Sequence, residues 1–212
     1  MMLMDGQSDA GITVLPIRVL KSLARVARIR SGGAILEVGP LRPTAMQDWN
    51  SAGLTATALT DTAPSTPSAP GQVLIGDVAG GMPVTAHSVD GVVVRTAKTF
   101  RAGLTTPESL LGAANLLSCL KPNGSLLILG SAGESLAPWQ ELLSAFPVKV
   151  SNGEYRDGLT YWLTFQFFSS RQVQVPYLRA EIGKDAMSRL QWHRLVRELV
   201  MKRMQANQAK AA

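Results

Sequence analysis

The chain has 212 residues, an apolar fraction of 46%, a charged fraction of 17% and a formal net charge of +6. That length and composition describe one globular domain with a sizeable buried core and exclude a disordered, weakly apolar chain. No apolar run approaches the ~20 residues of a membrane span, and Met1 to Asp5 lack the basic-then-apolar order of a secretory signal.

A lone Cys119 excludes an internal disulfide and a cysteine-based zinc site, so a reducing, cytoplasmic location is expected. The charge is unevenly spread. Residues 1–30 carry five basic and two acidic side chains, and residues 171–212 carry nine and three. The middle, 31–170, has seven basic and ten acidic. Basic ends around a mildly acidic body point either to solvated helix faces or to an acidic protein or polyanion as partner.

Residues 1–13 read as a polar leader. From Ile17 to Arg30, Leu20, Leu23, Ala24 and Ala27 recur at helical spacing, and Arg18, Lys21, Arg25 and Arg28 form a basic stripe on the same helix. An Arg-rich, acid-poor helix also has the character of a transit peptide, but Asp5 and Asp9 ahead of it argue against that. The stretch 31–41, SGGAILEVGPL, is then a short apolar strand ending in an acid and a Gly-Pro turn. That is the pattern of a buried parallel strand delivering the chain to a ligand crevice.

Strand and helix alternate from there. Strands are expected at 34–38, 54–60, 72–76, 89–95, 124–130, 147–151 and 159–168, with helices at 44–52, 107–121 and 136–146. Thr106, Pro107 and Glu108 mark the start of the second of these helices, and Pro122-Asn123-Gly124 its end. The last two strands, joined through Asn152-Gly153 to Gly158, are too close for a crossover helix and form an antiparallel hairpin. A final helix runs from about 184 to 204. The chain thus divides into a leader with a basic helix (1–30), an α/β domain (31–170) and a basic helical extension (171–212), with a mainly parallel sheet and helices on both faces.

Four segments occur in an order that resembles class I S-adenosylmethionine-dependent methyltransferases of the small-molecule, type 11 kind. They are ILEVGP at 35–40, ATALTD at 56–61, Gly76-Asp77 with Met82-Pro83 and Ser88-Val89-Asp90-Gly91-Val92-Val93, and LKPNGSLLIL at 120–129. The resemblance implies a Rossmann-like, seven-stranded sheet with a terminal antiparallel hairpin, and S-adenosylmethionine as cofactor. It implies cofactor-binding positions at Glu37 and Gly39 in the first turn and an acid for the ribose hydroxyls at the end of the second strand. Ungapped alignment puts Thr60 at that acid's place, with Asp61 one residue later. Asp77 would accept from the adenine amine while the Val78 N–H reads a ring nitrogen.

Two departures stand beside the resemblance. The glycine-rich turn continues as Pro40, Leu41, Arg42 and Pro43, which removes two amide donors and adds bulk. The Pro-rich stretch 62–71 replaces the helix after the second strand. No Asn-Pro-Pro-Tyr signature follows the fourth strand, so methylation of nucleic-acid bases or glutamine amides is not supported. Arg95, Thr96 and Lys98 instead stand where an anionic acceptor would lie, and Arg95 is included among the cofactor-site residues. His87 and His193 read as structural or surface groups, and Cys119 as a small buried hydrophobe. The function so implied is methyl transfer to a small or anionic acceptor. The alternative is a catalytically inactive scaffold of the same fold that engages an acidic partner through its basic ends.

Overall fold

A computed structural model describes residues 15–39, 45–61, 72–95, 104–131, 134–156 and 174–211. Helix α1 (Ile17–Val26) follows Pro16 and buries Val19, Leu20, Leu23 and Ala24, while its basic residues face outward. Strand β1 (Ala34–Val38) is buried from Ile35 onward, as an interior strand must be when both faces are covered. It pairs in parallel with β2 (Thr55–Thr60) on one side and β4 (Val89–Val94) on the other. Helix α2 (Ala45–Ser51) forms the crossover between β1 and β2, and β3 (Gln72–Ile75) closes that end of the sheet.

Helix α3 (Pro107–Cys119) starts where its sequence says it should. The Thr106 hydroxyl accepts from the Ser109 N–H at 3.2 Å, Pro107 takes the first turn, and Glu108 meets the positive end of the helix dipole. Strand β5 (Leu120–Leu129) follows at once. Its pairing with β4 jumps from Val89–Leu120 to Gly91–Ser125, so residues 121–124 bulge from the ladder. Helix α4 (Ala137–Ser144) leads to β6 (Lys149–Arg156), β7 (Gln174–Glu181) and helix α5 (Arg189–Ala211).

The seven strands lie in the order β3-β2-β1-β4-β5-β7-β6, with β7 antiparallel to both neighbours. The expected architecture is therefore present, but its last hairpin is placed differently. Asn152 and Gly153, expected as the turn, lie inside β6 opposite Leu178 and Tyr177. Gly153 suits a strand here because the Tyr177 ring lies over it and leaves no room for a Cβ.

The reversed strand is 174–181, and the expected strand at 159–168 lies outside the described residues. Pro176 does not break β7. Its carbonyl accepts from Gly130 N at 2.9 Å, one residue past the end of β5. A strand residue's N–H and C=O point the same way, so the missing donor faces a place where β5 has already ended.

Two buried clusters cover the two faces of the sheet. Leu20, Leu23 and Trp49 belong to the α1–α2 side, and Leu110, Leu117, Trp139 and Trp192 to the side of α3, α4 and α5. Each fully buried leucine contributes about 1.5–3 kcal/mol relative to exposure. Trp192 brings α5 onto this second face and meets Phe146 edge-on, ring centroids 5.9 Å apart.

Candidate functional site at the carboxyl edge of the sheet

Strands β1 to β4 all run the same way, so their carboxyl ends form one edge. Val38 pairs with Leu59 and Val94, and Thr60 pairs with Ile75. The residues next in sequence continue that register: Gly39 N donates to Leu59 O at 3.1 Å, and Gly76 N to Thr60 O at 2.9 Å. Gly39, Asp61, the Asp77–Val78 pair and Arg95 are thereby brought to a single edge. Gly39 has φ of 126°, a backbone conformation that a Cβ would strain.

The individual roles at that edge differ. Glu37 is 3% exposed and both its carboxylate oxygens are engaged. Oε1 lies 2.6 Å from Arg95 Nε, and Oε2 accepts from the Trp49 indole N–H at 2.5 Å. The Arg95 guanidinium also stands 5.8 Å from the Trp49 ring centroid, within cation–π range. Glu37 and Arg95 thus meet each other, and α2 supplies the third partner.

Asp61 is exposed. Asp77 is exposed too, and its Oδ1 accepts from Ala79 N at 3.0 Å in a local Asx-type turn. Val78 is buried, and its carbonyl accepts from Asn115 Nδ2 at 2.8 Å. Asn115 Oδ1 in turn lies 2.8 Å from His193 Nε2. With the amide nitrogen committed to Val78, the amide oxygen is the acceptor, and His193 Nε2 is the donor. A chain of hydrogen bonds therefore runs from α5 through α3 to the segment after β3.

Trp49 and Asn115 carry much of this geometry and were not singled out by sequence. Asn115 left a signal, a lone polar amide inside the apolar run of α3. Trp49 left none beyond its place in a helix. Arg42, Thr96 and Lys98 fall outside the described residues.

On the far side, His87 Nδ1 lies 3.0 Å from Leu120 O near the amino end of β4. Cys119 is fully buried, and burial pushes its thiol up, partly offset by the nearby Arg189 guanidinium. Arg189 also donates to Ser118 Oγ at 3.1 Å and to the Val84 carbonyl, so it fastens the start of α5 to the end of α3. Among the described residues, no helix is long and apolar enough to cross a membrane.

No family model matches the chain, and no curated protein matches it. Solved structures do. A S-adenosylmethionine-dependent methyltransferase from Methanosarcina mazei superposes with a TM-score of 0.53 at 10% identity, covering 77% of this chain and 98% of that one. The N-methyltransferase NodS from Bradyrhizobium japonicum gives 0.51 at 13% identity, covering 78% and 95%. Phosphoethanolamine N-methyltransferase 2 from Haemonchus contortus, solved with phosphomonomethylethanolamine and S-adenosylhomocysteine, gives 0.53 at 13% identity, covering 78% and 52%. Identities this low speak for fold alone. With the strand order and the reversed β7, they give this chain the Rossmann-like fold of the class I S-adenosylmethionine-dependent methyltransferases.

Proposed function

We propose that the carboxyl edge binds S-adenosylmethionine and that the chain transfers its methyl group to a small or anionic acceptor. The observation that carries this reading is the parallel register that brings Gly39, Asp61 and Asp77–Val78 to one edge. Those residues fit the nucleoside end of the cofactor. Gly39, free of a Cβ and at positive φ, permits close backbone approach. The exposed Asp61 carboxylate suits ribose hydroxyls, and the exposed Asp77 carboxylate suits an exocyclic amine.

Bound there, the cofactor supplies an electrophilic methyl group on a sulfonium. The chain's contribution is to hold the acceptor in line with it, a matter of proximity and orientation. Arg95 is committed to Glu37, so an anionic acceptor would have to draw on other cations or compete with that carboxylate.

A second reading, a non-catalytic scaffold, is favoured by one observation. Glu37 is closed off by Arg95 and Trp49, while Lys21 and Arg25 of α1 are exposed on one helix; Arg28, just beyond it, is paired with Glu181 at 2.9 Å. Such a helix face suits an acidic protein or a polyanion.

Thermal unfolding with S-adenosylhomocysteine decides between them. At a hundred times the dissociation constant, binding adds about 2.7 kcal/mol of stability. In a domain of this size the midpoint then rises by roughly 5–10 °C. The shift should fall in Asp77→Ala. Absence of any shift at millimolar ligand would overturn the cofactor reading and leave the scaffold.

A further inference from the structure

A cleft of about 850 Å³ lies between α3, the N-terminal half of α5 and residues 79–83. Its volume is that of a small-molecule site, far above a packing defect. The walls are chiefly apolar, with Met82, Leu111, Val196, Val200 and Met201 prominent. Met201 remains 56% exposed, so this wall is left uncovered by the fold itself.

Few polar groups enter the cleft, and they are ordered. Asn115 is 6% exposed and held at both ends, by Val78 O and by His193 Nε2. One turn along α5, Arg197 lines the same cleft, exposed and with no carboxylate within ion-pair distance among the described residues. Arg189 adds a second guanidinium, bonded to neutral groups only, namely Val84 O, Ser118 Oγ and the Cys119 sulfur. Among the described lining residues the one acid is Glu108, at the start of α3. Two cations against one anion, around an apolar body, are complementary to a ligand with a single negative charge.

We propose that this cleft is a binding site for a small amphipathic anion, an aromatic or aliphatic body bearing one anionic group that pairs with Arg197. The apolar body lies against Met82, Leu111 and Val200 and is drawn there by burial. The charged end stays near the mouth, where the exposed Arg197 side chain meets it. The site is built on α5, which follows the last strand of the sheet, and does not depend on the cofactor reading.

Two probes with the same aromatic body test it on the full chain. One, 1-anilinonaphthalene-8-sulfonate, carries the anion, and N-phenyl-1-naphthylamine lacks it. Calorimetry and probe emission should show saturable one-to-one binding of the sulfonate, at least tenfold tighter than the neutral analogue. Arg197→Glu, at an exposed and unpaired position, should weaken the sulfonate at least tenfold and erase the difference between the probes. Val200→Trp should abolish binding of both by filling the cleft, with the unfolding midpoint of each variant reporting that the fold is kept. Equal affinity for the two probes in the unmodified chain would overturn the proposal. So would several-site binding, or sulfonate affinity unchanged in both variants.

Discussion

The carboxyl edge at β1 and the cleft beside α5 use charge in opposite ways. At β1, Glu37 and Arg95 are 4% and 8% exposed at the side chain and form an ion pair with each other. In the cleft, Arg197 has no ion-pair partner among the described residues, beside about 850 Å³ of mostly apolar space. The acid that matches a family motif is therefore the less available of the two for recognition. The free cation lies on a helix with no counterpart in the motif set. A motif residue tells where a strand ends; whether its charge reaches a ligand depends on what the neighbouring elements have already placed against it.

The largest effect expected from breaking this contrast is at Glu37. Removing one member of a buried ion pair leaves the other desolvated, at a cost of about 3–5 kcal/mol. Glu37→Ala should lower stability by that order in chemical denaturation. Replacing both, Glu37→Leu with Arg95→Leu, should recover most of the loss, because apolar residues of similar volume commonly do as well as a buried pair. If the single variant is as stable as the parent, the pair is not closed, and Glu37 returns as a candidate for contact with the cofactor.

A smaller loss is expected at Asn115, whose amide joins the cleft to the segment after β3. Asn115→Ala leaves the Val78 carbonyl and the His193 N–H without their partner, costing about 1–3 kcal/mol. His193→Ala combined with it should be less than additive, by about 0.5 kcal/mol or more, since both substitutions remove the same bond. Additive losses would show that the two side chains do not act together and that α5 is not tied to the segment through this amide.

The parts of the fold that were legible are those where local chemistry and tertiary placement agree. Residues 34–36 are apolar, glycines flank 34–38, and that span forms a buried parallel strand as expected. Thr106, Pro107 and Glu108 combine the cap, first-position and dipole preferences of a helix start, and a helix begins there. The final hairpin was misplaced because local signals opposed the fold.

Asn152-Gly153 has the composition of a turn, yet Tyr177 across the strand covers the glycine. Pro176 has the character of a strand breaker, yet it falls where its missing N–H faces no partner strand. Neither exception is visible before the register is known. The candidate site divides similarly. Register brings Gly39, Asp61 and Asp77 to the same edge of the sheet, whereas the contacts of Glu37 with Arg95 and with Trp49 of α2 are long-range and no spacing encodes them.

The smallest effect is at the opposite edge of the sheet and supplies an intermediate case between a closed and an open charge. Asp90 Oδ2 accepts from Ala34 N and from Lys121 Nζ, both at 2.8 Å, with the two side chains 35% and 42% exposed. Burial raises the Asp90 pKa, but the bonds to Lys121 and Ala34 and the lysine charge outweigh it, so the carboxyl is held below its ordinary value. A depressed pKa means that the folded state binds the proton less readily than the unfolded chain. The stabilisation is therefore present above the ordinary carboxylate pKa and lost as pH falls through the folded one. Half-exposed pairs contribute only about 0–1 kcal/mol. Asp90→Asn should accordingly change stability little at pH 7 and flatten the acid limb of a stability-against-pH curve. Added salt should shrink the difference between parent and variant, because this pair is screened while the one at Glu37 is not. Equal salt sensitivity at the two sites would mean that Glu37 and Arg95 are open to solvent, and the contrast between the two edges would fail.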